Sequence, residues 1–366
     1  MEVKDGIWGY KMETRRNSSL ELLRIVAMLL IMHYHFNVHG GISASFDNVG
    51  KNAFIAKMMY ECGKIGVDIF VIISSWFLAG KELSYANIRN RIKKIYIPVW
   101  TYSILIYICM LIKQHDLFNC RNVLKAFFPV VFSNNWYATA YILFLIIVPV
   151  LNKGLASLSE KEHRWLAIVL FIYTSVFQTI AGYKYVDASN HFTNLTWFTV
   201  CFIITSYFKQ YKKQRLSQLR IVGGVAVICF VWFGLSIYLA DYYQIFLCLN
   251  RPENSVYMMQ INYVPVIVCA FALFFIFERL DFSLNFINAV GKATFGIYLI
   301  HDNPYICNYI WMRICRSTDC FYGSHFYINA LSGIIFIFII CCIIEIIREA
   351  VTEKFIKNMK ILLKKK

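Results

Sequence analysis

Apolar runs of membrane length recur along this chain, separated by short polar stretches. We place ten of them, at 20–38, 65–80, 95–112, 137–151, 165–181, 193–208, 219–239, 260–277, 293–311 and 327–346. A bilayer core of roughly 30 Å needs about 20 apolar residues per helix. A transmembrane barrel would instead show strands of about ten alternating residues, and no such pattern is present. The pattern predicts an all-α, polytopic membrane protein of about ten transmembrane helices. Gly296 and Pro304 interrupt the ninth run and predict a broken helix there. Residues 1–19 read as a polar N-terminal segment and 20–347 as one transmembrane domain. The stretch 348–366 reads as a basic amphipathic helix lying on the membrane. No cleavable leader is expected, because no small-residue cleavage site follows the first apolar run.

Composition agrees with the pattern. Hydrophobic residues make up 59% of the 366 and charged residues 16%. Soluble domains carry about 25% charged residues. The formal net charge of +16 raises nucleic acid as a partner, but its placement excludes that reading. With both termini in the cytosol, 26 of the 37 lysines and arginines fall on the inner side. This is the positive-inside asymmetry. The twelve cysteines are scattered, mostly inside apolar runs. Cys315 and Cys320 flank an outer loop and are candidates for a disulfide. No metal-ligand spacing stands out, so no metal is expected.

The first run, LELLRIVAMLLIMHYHF, carries Glu21, Arg24, His33 and His35. Arg24 and His35 are eleven residues apart, so they differ by about 20° around a helix and by about 16 Å along it. Glu21 falls within about 60° of both. A polar stripe therefore runs from one end of the helix to the other. Ionisable groups inside a membrane are functional candidates by default. The alternative is that Arg24 snorkels to the inner headgroups and that His35 and His39 lie in the outer interface. Asp68, in GVDIFVIISSWF, is expected near His35 at similar depth, orienting the ring; otherwise it caps its helix near water. The stretch IRNRIKKIYIPVW is read as a cytosolic loop. Arg89 and Arg91 within it suit a phosphorylated donor, since guanidinium bonds phosphate bidentately. Positive-inside topology also accounts for such a cluster. Trp136 and Tyr137 read as an interface belt or as a platform for a sugar.

These motifs together resemble the acyltransferase-3 family of integral membrane acyltransferases, which includes O-acetyltransferases of bacterial surface polysaccharides. The resemblance rests on Arg24 and His35 with ten residues between them, preceded by Glu21. It extends to Gly66, Val67, Asp68, Phe70 and Ser74 of the second run, with Ser75 in place of the usual glycine. Arg89 and Arg91 precede Ile97 and Pro98 in the same family-like order. Trp136 and Tyr137 open a span, and FGIYLIH supplies Gly296, Tyr298 and His301. The resemblance implies transfer of an acyl group, usually acetyl, from acyl-CoA to a hydroxyl of a cell-surface glycan or its lipid-linked precursor. Acyl-CoA would dock at Arg89 and Arg91, with Arg24 at the entrance. His35 would serve as general base or transient acyl carrier, held by Asp68. Tyr298, His301 and Trp136 would line the acceptor side. The expected setting is the bacterial plasma membrane, with lipids and a carbohydrate acceptor as partners. A transporter or flippase for a polysaccharide precursor is the competing reading.

Overall fold

The computed structural model describes residues 17–42, 49–181, 191–212, 219–246 and 260–364. Among them all regular structure is helical. In chain order the helices are α1 (Ser19–Val38), α2 (Lys51–Leu78), α3 (Tyr85–Lys113), α4 (Cys120–Phe127), α5 (Trp136–Ala156), α6 (Glu160–Phe171), α7 (Phe177–Ala181), α8 (His191–Tyr207), α9 (Leu219–Phe246), α10 (Val264–Glu278), α11 (Asn285–His301), α12 (Ser317–Tyr322) and α13 (Phe326–Lys364). A π-helical turn, Ile172–Val176, joins α6 to α7.

Among the described residues, five helical stretches are long and apolar enough to cross a membrane: Ser19–Val38, Tyr85–Lys113, Trp136–Ala156, Arg220–Leu239 and Phe326–Lys354. The protein is thus a multi-pass membrane protein. The other predicted runs also fall on helices, but on different grounds. Helices α8, α10 and α11 have 17, 15 and 17 residues. Helix α2 is long but carries several charges.

Helix α1 lies at the centre, against α2, α10, α11 and α13. Its start is tied to the approach to α11. Ser18 Oγ donates to Asn288 Oδ1 at 2.8 Å and accepts from the Leu284 amide at 2.8 Å. Helices α1 and α2 run antiparallel and touch closely. A Cβ on Gly66 would come 2.5 Å from Ala27 O, and one on Gly63 would overlap Tyr34. Lipid tails are as apolar as leucine, so close packing through small residues holds such helices together.

The predicted boundaries move in four places, each for a physical reason. Helix α2 starts at Lys51, fourteen residues before the predicted 65. Its added turns are polar, but the charges are housed inside the protein. Lys57 pairs with Asp241 of α9. Lys64 Nζ sits 4.3 Å from the Tyr34 ring centroid. Asp68 accepts from Trp197 Nε1 at 2.8 Å. Hydropathy scores these side chains as if they faced lipid or water, and so ends the run too early. Helix α3 likewise begins at Tyr85, so the predicted basic loop is helical.

The ninth run breaks after His301, near Pro304, while Gly296 stays helical. Gly296 is where α11 meets α13, because a Cβ there would overlap the Glu345 carboxyl. Glu345 accepts from Tyr102 at 2.6 Å and from Arg348 Nε and Nη2, each at 2.7 Å. Helix α13 continues to Lys364, so the tail continues this helix and does not begin a new one. Residues 1–16 and 365–366 lie outside the described residues. Cys315 and Cys320 are free thiols; Cys320 Sγ points at Cys315 O, 3.4 Å away.

Candidate active site

The polar stripe of α1 ends in two different environments. At its N-terminal end a cavity of about 510 Å³ is lined by Glu21, Arg24, Ser74, Lys81, Arg91 and Tyr141, among others. Arg24 Nη1 donates to both Glu21 oxygens, at 2.8 and 3.0 Å. Its guanidinium lies 5.8 Å from the Phe77 ring centroid. Arg24 is therefore held on the cavity wall by Glu21.

Of the two predicted donor arginines, Arg91 lines this cavity and Arg89 does not. The reason is helical geometry. Two residues apart on α3, they diverge by about 200°. Arg91 shares its side with Ile88, which is buried. Arg89 is exposed. In a loop the two could converge on one phosphate; on a helix they cannot.

At the other end of the stripe, His35 lies in a buried cluster. His35 Nδ1 is 2.9 Å from His301 Nε2. His301 Nδ1 is 2.7 Å from Ile297 O. Asp302, directly after α11, holds Oδ1 2.9 Å from His39 Nε2 and 3.5 Å from His35 Nε2. The hydrogen positions follow from these partners. A carbonyl oxygen only accepts, so His301 carries its proton on Nδ1 and presents a lone pair on Nε2. His35 then donates from Nδ1, which leaves the lone pair of its Nε2 turned towards Asp302.

Asp302 was not singled out in the sequence, and His39 was read only as an interfacial residue; Asp68 was placed beside His35 instead. The structure corrects this. Gly66 packs on Ala27 and Ile31, and Gly63 on Tyr34, which sets the register of α2 against α1. His35 then lies level with about residue 60 of α2. Asp68 is eight residues further on, roughly 12 Å along the helix. It is fully buried and bonded to Trp197 of α8. The error came from starting α2 at 65, which raised Asp68 towards the surface. His39 did carry a sequence signal: at i+4 from His35 it shares a helix face with it.

Tyr298 and Trp136 join His35 around a small, mainly apolar pocket of about 40 Å³, together with Phe70, Tyr137 and Phe295. His301 touches the same group, with its ring 6.4 Å from that of Tyr298. Tyr137 and Tyr141 of α5 stack at 6.1 Å and separate the two cavities. Both come within hydrogen-bonding reach of Ser74. A charged cavity, two stacked tyrosines and a pocket with a histidine thus follow one another along α1.

This arrangement, set among helices long and apolar enough to cross a bilayer, is that of an integral membrane protein. A family model described as an acyltransferase domain matches residues 17–346. The chain belongs to the acyltransferase-3 family and is a membrane acyltransferase. No curated protein and no solved structure gave a match.

Proposed function

We propose that this protein transfers an acyl group, acetyl in the first instance, from acyl-CoA to a hydroxyl of a cell-surface glycan or its lipid-linked precursor. The observation that carries the reading is the placement of Arg24 and His35. They stand at opposite ends of one buried stripe, the first in a basic cavity and the second in a small pocket. In this reading ten helices span a bacterial plasma membrane, with both termini and the Arg24 cavity on the cytosolic side. Coenzyme A is polyphosphorylated and cytosolic, so its phosphates meet Arg91 and Lys81. Its pantetheine arm passes between Tyr137 and Tyr141 towards His35.

His35 Nε2 takes the proton of the acceptor hydroxyl as its oxygen attacks the thioester carbonyl. The C–S bond breaks, and the imidazolium returns the proton to the departing thiolate. Asp302 stabilises the imidazolium in between, the role the sequence reading gave to Asp68. His301 holds the ring through Nδ1. Trp136 and Tyr298 border the space where an acceptor would approach.

The test uses membranes containing the protein, acetyl-labelled CoA and the host's glycan fraction. Wild type is compared with His35→Ala at matched expression. Label should reach carbohydrate, and the substitution should abolish it. Equal transfer by both proteins would remove His35 from the mechanism.

One observation favours a second reading, a transporter. Lys57, Glu61, Lys64 and Asp68 are all buried and occupy one side of α2. Such a stripe suits a proton or solute path. Flux in vesicles without consumption of acyl-CoA would support that alternative.

A further inference from the structure

The geometry of the His35 cluster leaves two hydrogen-bond acceptors facing each other. With His301 Nδ1 bonded to Ile297 O and His35 Nδ1 bonded to His301 Nε2, the remaining nitrogen of His35 bears a lone pair. It faces Asp302 Oδ1 at 3.5 Å. Two acceptors at this range repel unless a positive charge lies between them. One candidate is a proton, carried by His35 or by His39, whose Nε2 lies 2.9 Å from the same oxygen. The other is a metal ion.

We propose that His35, His39 and Asp302 form a site for a divalent transition metal of the Zn²⁺ class. Their ligand atoms all lie within 4.8 Å of one another. Metal–nitrogen and metal–oxygen bonds of about 2.0–2.2 Å in a tetrahedron set ligand atoms roughly 3.3 Å apart. The 3.5 Å between His35 Nε2 and Asp302 Oδ1 fits that spacing, and the 2.9 Å from His39 Nε2 needs a small opening.

Two imidazoles and one carboxylate suit Zn²⁺ and its neighbours, not Ca²⁺ or Mg²⁺, which take six or more oxygens. His35 and His39 are one turn apart on one face, with His39 at the cap that ends α1. The second layer is also built. A metal-bound histidine fixes its tautomer by donating its other N–H. His35 does so to His301, and His301 to Ile297 O. Three protein ligands leave a fourth position open. His39 is one-quarter exposed, so an ion can enter from that end.

The consequence for transfer rests on the acyltransferase reading. A metal on His35 Nε2 uses the lone pair that would take the acceptor's proton. The bound ion therefore blocks the base, and the site regulates the enzyme through metal supply at the outer surface.

The experiment titrates Zn²⁺ into the purified full-length protein in micelles by calorimetry and counts bound metal after desalting. Wild type should bind one ion per chain. His39→Ala and Asp302→Asn should each weaken binding at least tenfold. His33→Ala, whose ring bonds Leu29 O on the other side of α1, should bind as wild type does. Absence of stoichiometric binding overturns the proposal and leaves a proton, on His35 or His39, to balance Asp302. Binding that survives in both ligand variants also overturns it. Labelled transfer is then measured with and without Zn²⁺. Inhibition that a chelator reverses supports the regulatory consequence. Full activity with Zn²⁺ bound at one per chain keeps the metal site and removes His35 as the base. Failure of the metal site and failure of the mechanism are thereby told apart.

Discussion

Arg89 and Arg91 are two residues apart and have different surroundings, so they should differ in function. A hydrogen bond to a charged group contributes about 1.5–3 kcal/mol, roughly ten- to a hundredfold in binding. Arg91→Ala should raise KM for acyl-CoA by roughly that factor with little change in kcat, and Arg89→Ala should change neither more than about twofold. Steady-state kinetics with varied donor decide this; equal effects would mean the cavity is not the donor site. Asp302→Asn should have the opposite signature. It keeps the side chain's shape and removes the charge that steadies an imidazolium, so kcat should fall with KM for the donor unchanged. His35, Arg24 and Arg91 were legible as candidates because each needs only helical spacing or a local basic run. Asp302 was not, because it lies 267 positions after His35. Nothing local marks a residue that acts through a contact made by folding.

Helix α2 shows why element boundaries were less legible than element existence. Its apolar C-terminal half was plain, and its N-terminal half was hidden by Lys57, Glu61 and Lys64. Those residues look like a loop unless their partners are known. Breaking a buried pair by removing one partner costs about 3–5 kcal/mol, while replacing both with apolar groups is often neutral. Lys57→Met should therefore lower the melting temperature in detergent sharply. The double variant Lys57→Met/Asp241→Leu should recover much of the loss. Fluorescence-detected size-exclusion chromatography after heating reads both. If the double variant is as unstable as the single, the pair is not what houses the charge. The α1–α2 contact offers a separate test. Gly66→Leu drives a side chain into Ala27 O and Ile31, and overpacking of this kind costs about 1–3 kcal/mol or more. It should reduce both folded yield and transfer, because α1 carries Arg24 and His35 alike.

The molecule as a whole makes sense as an acyltransferase if its two ends face different compartments. The Arg24 end carries the basic cavity, and the segments assigned to that side hold most of the lysines and arginines. In the proposed topology this end faces the cytosol, where acyl-CoA is made. The fold provides markers at both ends. Cys120 in α4 is exposed, and α4 is tied to the His35 end, where Tyr305 donates to Asn122 O at 3.0 Å. Lys161, at the start of α6, is also exposed. It lies at the other end, since Asn152 near the close of α5 bonds Gly80 N at 3.0 Å and the carbonyls of Leu78 and Lys81. In a background without other cysteines, a membrane-impermeant thiol reagent applied to intact cells should label Cys120. A cysteine at position 161 should be labelled only after the cells are opened. The reverse pattern would place the basic cavity outside, away from any supply of acyl-CoA, and would overturn the transfer mechanism however well its residues align. The predicted pattern requires the acyl group to cross inside the protein, from Arg24 towards His35, past Tyr137 and Tyr141. That passage is what a soluble acyltransferase never needs, and it accounts for charged side chains along a helix packed against four others.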